Sequence, residues 1–105
     1  MLEINPQKVA HVIFQARRER GSQGDLRAFI DGLNDDEQAH LTAIAWVGRE
    51  AFDAADYAEA VATAFAEKST PTADYLMGMP HLSENLEAGL EALGVDVSGV
   101  EEGFL

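Results

Sequence analysis

Apolar side chains recur along this chain at intervals of three and four residues, the spacing that lines one face of an α-helix. Val9, Val12, Ile13 and Ala16 form the first stripe. Asn5-Pro6 opens it as a cap followed by proline at the first helical position, and the Arg17 to Arg20 cluster closes it with cations that suit the negative end of a helix dipole. A first helix is therefore expected from Pro6 to about Arg20, broken by Gly21-Ser22-Gln23-Gly24. Leu26, Phe29, Ile30 and Leu33 give a short second stripe, with Asp25 as its cap and an end near Gly32.

Asn34-Asp35-Asp36-Glu37 matches a capping box, in which the first side chain accepts from the backbone N–H three residues on and the glutamate reaches back. Beyond it Leu41, Ala43, Ile44, Ala45, Trp46 and Val47 are apolar on nearly every side of a helix. Such a helix is surrounded by others, so residues 35–49 are expected at the centre of the fold. Phe52-Asp53 restarts the chain. Ala54, Ala55, Ala58, Val61, Ala62 and Phe65 give a fourth helix of small residues, with Asp56, Glu59, Thr63 and Glu67 on its outer face.

Thr70-Pro71 reads as a cap with proline at the first helical position, opening a short helix with Tyr75 and Leu76 that stops at Gly78. Pro80 is expected to start the last helix, with Leu82, Leu86, Leu90 and Leu93 inward, Glu84, Glu87 and Glu91 outward, and Gly94 as terminator. No alternating strand pattern of useful length and no internal repeat is visible. The expected fold is all-α, a bundle of five to six short helices around the third, forming one domain over residues 1–105 with a less regular tail from about 95. Phe104 and Leu105 are expected to dock on the body.

Composition narrows the partners. The chain has 105 residues, 47% of them hydrophobic, which is enough for one buried core. Nineteen acidic side chains against seven basic ones give a net charge of -12, a field that repels phosphate backbones and anionic lipid heads. Nucleic acid and membrane are therefore not expected as partners. The cations are unevenly placed: Lys8, Arg17, Arg18 and Arg20 lie in the first segment, and no Lys or Arg follows Lys68. The absence of cysteine excludes disulfides and thiolate chemistry and permits a cytoplasmic location. The first residues, MLEINPQK, lack the pattern of a signal peptide, and the longest strongly apolar run, Leu41 to Gly48, falls far short of the roughly 20 residues a bilayer requires.

Chemical motifs are sparse. Glu37-x-x-His40 has the spacing of one half of a carboxylate–histidine metal site, and His81-x-x-Glu84 is its reversed echo. The capping box already explains Glu37, however, so no metal and no cofactor is expected. Helix two, Gly32-Leu33-Asn34 and helix three resemble a helix-turn-helix, but Asp35, Asp36 and Glu37 would face phosphates, which defeats that reading. No serine lies in G-x-S-x-G, and the Gly21 to Gly24 loop lacks the ending of a phosphate-binding loop. Catalytic residues are not identified.

Two surfaces remain as candidates. Trp46 and Arg49, three residues apart, with Tyr75 and His81 form a candidate ligand or partner pocket, with Arg49 over the indole face or bridged to Glu50 or Asp53. The acids Glu84, Glu87 and Glu91 with Asp56 and Glu59 form a candidate acidic face for a basic protein, if the two helices lie side by side. Self-association is a third expectation, because Phe14, Phe52, Phe104 and Leu105 strain the capacity of one small core.

Four stretches in order carry a family resemblance: Leu2-x-Ile4-x-Pro6-x-Lys8-Val9; Asp36-Glu37-Gln38 leading to Trp46-x-Gly48-Arg49; Thr72-x-x-Tyr75-Leu76-x-Gly78-x-Pro80; and Leu86, Gly89, Leu90, Leu93, Gly94. Together they resemble a bacterial domain-of-unknown-function family, number 3775, over nearly the whole chain. The resemblance implies a small cytosolic helical protein and brings no activity, substrate or cofactor. It also implies that the first loop is dispensable for the fold, since relatives carry a longer acidic insertion where this chain has only Gly21 to Gly24. The function expected from all this is a non-enzymatic protein-binding or adaptor domain using an acidic face. The alternative is a small ligand- or metal-binding, enzyme-like domain with its pocket at Trp46, Arg49, Tyr75 and His81.

Overall fold

A computed structural model describes residues 4–17 and 23–95. Six α-helices follow in order: α1 Pro6–Arg17, α2 Gln23–Asp31, α3 Asp35–Gly48, α4 Tyr57–Ala66, α5 Thr72–Met77 and α6 Leu82–Ala92. A 3-10 turn, Ala54–Asp56, precedes α4, and there is no strand among the described residues. The all-α expectation holds.

Helix α3 forms the axis of the bundle because, beyond its acidic first turn, it is apolar on nearly every side. Eight of its residues are buried, Ala39 to Ala45 and Val47. It packs most extensively on α6, then on α4 and α5, while α1 lies against α6 and α2, and α2 against α5. The contact with α6 is made by glycine. A methyl group on Gly48 would stand 1.6 Å from the Asn85 carbonyl oxygen, and one on Gly89 would stand 2.0 Å from that of Ile44. The two backbones therefore touch, running in opposite directions, with Ile44, Leu86 and Leu90 fully buried around the crossing.

The helix starts show which sequence signals governed. Asn34 Oδ1 accepts from the Glu37 N–H at 2.7 Å and Glu37 Oε1 accepts from the Asn34 N–H at 3.0 Å, so the capping box forms as written. Asn5 Oδ1 likewise accepts from the Gln7 N–H at 2.8 Å. Gln38 Nε2 reaches back to the Ile30 and Leu33 carbonyls, at 3.0 and 3.2 Å, the first of which also accepts from the Leu33 N–H. This one side chain joins the end of α2 to the start of α3.

Other boundaries differ from the expectation. Helix α2 begins at Gln23, so Gly24 is helical and Asp25 sits in the first turn, where its charge still faces the positive end of the dipole, rather than capping it. Pro71 is the cap of α5 and not its first residue, with extended backbone at ψ 139°. The last helix starts at Leu82, two residues after Pro80, because His81 takes a left-handed turn with φ 58°. Helix α1 is described only to Arg17, so the expected extension to Arg20 lies outside the described residues, as does the docking of Phe104 and Leu105.

Helices α3 and α6 end alike. Ala51 N–H donates to the Trp46 carbonyl and Glu50 N–H to that of Val47; Val95 N–H donates to Leu90 and Gly94 N–H to Glu91. Both are Schellman turns, which place one residue in the left-handed region. In α6 that residue is Gly94, with φ 81°; in α3 it is Glu50, with φ 66°. Among the described residues no helix is long and apolar enough to cross a membrane.

Candidate functional site

Helix α3 carries Thr42 and Trp46 one turn apart, and α5 carries Thr72 and Tyr75 with helical spacing, so each helix presents a hydroxyl and an aromatic ring on one side. Where the two sides face each other, Trp46 Nε1 donates to the Tyr75 hydroxyl oxygen at 2.8 Å. The indole is fixed further by Phe52, stacked at 5.7 Å with 25° between the rings, while Tyr75 meets it edge-on at 6.4 Å and 82°. These separations lie within the range in which aromatic pairs attract.

Behind the pair lies a pocket of about 170 Å³, whose lining includes Thr42, Trp46, Ala64, Thr72 and Tyr75. Glu67, Lys68, Ser69 and Thr70, from the connection between α4 and α5, complete it. Thr42, Ala64 and Thr72 are buried, and Tyr75 is 41% exposed. Lys68 Nζ donates to Gln38 Oε1 at 3.1 Å, which holds one end of the ammonium toward α3. Because the Tyr75 oxygen already accepts from Trp46, its own O–H is free to turn toward a guest.

Of the four residues expected to share a pocket, the structure brings Trp46 and Tyr75 together and leaves Arg49 and His81 off its lining. Arg49 is exposed at the end of α3 and joins no ion pair among the described residues; the indole stacks on Phe52, not on its guanidinium. His81 lies beside a different hollow, with Arg17, Met77, Met79 and Glu84. Thr42, Thr72 and Lys68 were not anticipated as pocket residues. The visible signal for Thr42 is a hydroxyl on an otherwise apolar helix, one turn before the only tryptophan.

The Glu37-x-x-His40 pair is committed elsewhere. Glu37 Oε1 holds the capping box and Oε2 accepts from Lys8 Nζ at 2.6 Å. The Lys8 hydrogen bond, followed by that of the Asn34 backbone, holds the Glu37 carboxyl below the usual carboxylate range. His40 is buried, and its Nδ1 lies in hydrogen-bond contact with the hydroxyl of Tyr57, itself buried at the start of α4. Among the described residues no three His, Asp or Glu side chains gather where they could hold a metal ion.

The two acidic stripes lie on helices that do not pack extensively on each other. Helices α4 and α6 each pack on α3, and neither is a principal neighbour of the other. Asp56, Glu59, Glu84 and Glu91 are exposed, but Glu87 is half-buried and accepts from Arg17 at 2.5 Å, tying α6 to α1. The Glu84 carboxyl is held below the usual carboxylate range by its own backbone N–H and then by the Ser83 hydroxyl at 3.0 Å, with smaller contributions from His81 and Arg17. Arg27 pairs with Asp74 on the far side, joining α2 to α5.

No curated protein and no solved structure matches the chain. One family model does, that of a protein of unknown function, DUF3775, over residues 23–95. The matched segment runs from the start of α2 past the end of α6 and contains the whole Trp46–Tyr75 pocket, leaving only α1 outside although it packs on α2 and α6. Since that segment is well over half of the residues, the chain belongs to the DUF3775 family.

Proposed function

We propose that this is a non-enzymatic protein-binding domain of the cytoplasm, and that the Trp46–Tyr75 pocket is where its partner inserts a side chain. The observation that carries the reading is Tyr75, a large aromatic residue left 41% exposed yet held in place by the Trp46 hydrogen bond. An exposed ring that needs no reorganisation offers contact area at small entropic cost, which is the usual chemistry of an interface anchor.

Size separates this from the small-ligand reading. Pockets for small molecules typically span about 300–1,000 Å³. The volume here, about 170 Å³, suits one side chain of a partner better than a whole metabolite. The net charge of -12 favours a partner segment with basic flanks, which the protein's field would steer toward it. The acidic α6 face remains the competing version of the same function.

Capture from native lysate tests the reading with three proteins: wild type, Tyr75→Ser, and the triple change of Glu84, Glu87 and Glu91 to Gln. A partner lost with Tyr75→Ser and kept by the triple variant supports the pocket. One kept by Tyr75→Ser and lost with the triple variant moves the function to α6.

A further inference from the structure

The Trp46–Tyr75 pocket does not stand alone. A second hollow, of about 140 Å³, shares Thr42, Lys68 and Thr72 with it and continues past them to Asp35, Gln38 and Phe65. Along α3 the two linings read Asp35, Gln38, Thr42 and Trp46, three to four residues apart, so both hollows follow one face of that helix. At a rise of about 1.5 Å per residue this face is roughly 16 Å long, and the middles of its two halves stand roughly 8 Å apart. Two large hydrophobic side chains are left exposed among the described residues, and each half has one: Tyr75 borders the first, and Phe65, 47% exposed, the second. Each half also has a carboxylate of its own, Glu67 in the first and Asp35 in the second.

The groups shared by the two halves are polar and have hydrogen bonds to give. Thr42 and Thr72 are each 7% exposed, more than nine-tenths buried, and neither hydroxyl has a hydrogen-bond partner among the described residues. A hydroxyl buried without a protein partner is a place for the N–H or C=O of a guest. Lys68 gives one N–H to Gln38 Oε1 and forms no ion pair among the described residues, which leaves donors for a carbonyl oxygen.

We infer, building on the pocket proposed above, that the partner is an extended polypeptide segment filling both hollows, and that the side chain in the second is arginine or lysine, two positions from the one that enters between α3 and α5. In an extended segment residues two apart point the same way and stand about 7 Å from each other, close to the separation of the hollows. A helix keeps its backbone N–H and C=O groups to itself, whereas an extended backbone presents them to Thr42, Thr72 and Lys68. A basic side chain suits the second hollow because it meets an aromatic face at Phe65 and a carboxylate at Asp35, which forms no ion pair among the described residues. Arginine does both with one planar group. Lys68 opposes a second cation, but Asp35 and Glu67 border the same groove, and the net charge of -12 makes the surrounding field attractive to it.

A library of random short peptides displayed on phage tests this, selected in parallel on wild type, Tyr75→Ser, Asp35→Asn and Phe65→Ser. Wild type is expected to enrich sequences with arginine or lysine two positions from a common anchor residue. Asp35→Asn and Phe65→Ser are each expected to keep the anchor and lose the basic preference. The best wild-type peptide is then titrated into all four proteins. Each of these two changes is expected to weaken its binding about threefold, the size of an exposed cation–π contact or ion pair. Binding is also expected to weaken as salt rises, since salt screens the attraction. Both sites are exposed, and circular dichroism checks that each variant is folded. An anchor enriched without a basic residue at that spacing, or a basic preference that either change leaves intact, overturns the two-hollow arrangement while the pocket reading stands. A selection that Tyr75→Ser does not alter, or a wild type that enriches no common sequence, overturns the pocket reading and the arrangement with it.

Discussion

Gly48 and Gly89 face each other's helices at the one place where α3 and α6 meet backbone to backbone. The atoms a side chain would strike there are carbonyl oxygens, of Asn85 and Ile44, which cannot swing away as a flexible side chain would. Gly48→Ala or Gly89→Ala must push the helices apart along the main contact of the fold. Each is expected to destabilise by about 3 kcal/mol, at the upper end of what overpacking costs. Urea unfolding of the two variants checks this; a loss of less than about 1 kcal/mol for both would mean that the crossing is looser than described.

The ends of α3 and α6 make a matched experiment. Both are Schellman turns, but α6 supplies glycine at the left-handed position and α3 supplies Glu50. A side chain there costs roughly 1–2 kcal/mol. Glu50→Gly is expected to stabilise by about 1 kcal/mol, and Gly94→Ala to destabilise by a similar amount. Thermal unfolding reads both, and equal signs for the two changes would contradict the account.

The Glu37 carboxyl gives a pH signature. Its folded-state value is depressed, chiefly by Lys8 and then by the Asn34 backbone, so its stabilisation is complete above the unfolded carboxyl value near 4.3 and is lost as pH falls through the lower folded value. Carboxyl carbon NMR should find Glu37 titrating below the other glutamates, and Lys8→Met should move it upward. A titration unchanged by Lys8→Met would remove the lysine from the account.

Much of the fold was legible because its signals are local. Helix α3 is apolar all round, and Asn34 to Glu37 carry both halves of a capping box, so neither needed tertiary information. The left-handed turns at Glu50 and His81 were not legible, since those residue types give no hint of positive φ; the start of α6 was misplaced for that reason. The pocket was half legible. Trp46 and Tyr75 stand out by size, but Thr42, Thr72 and Lys68 join them only through the way α3, α4 and α5 meet. Arg49 joins Trp46 in the sequence reading by their three-residue spacing, which does not say whether its guanidinium meets the indole, and nothing local to His81 says which side of the bundle it faces.

The hydrogen bond between Trp46 and Tyr75 has its own test. Tyr75→Phe removes the acceptor and keeps the ring, at a cost of about 0.5–1 kcal/mol for a partly exposed bond. The indole N–H proton of the single tryptophan should shift in NMR spectra, and exchange with solvent should quicken. An unchanged indole resonance would show that the bond does not hold the ring.

The central claim is that the partner enters the pocket that Trp46 and Tyr75 line together. The most direct measurement is to titrate the captured partner, or its basic segment as a synthetic peptide, into isotope-labelled protein and follow the backbone and indole N–H signals. The account predicts that the Trp46 indole and the amides of Lys68 to Tyr75 move together and saturate together, while those of Glu84, Glu87 and Glu91 stay in place. Movement confined to the α6 residues, with the Trp46 indole unshifted at saturation, would contradict it.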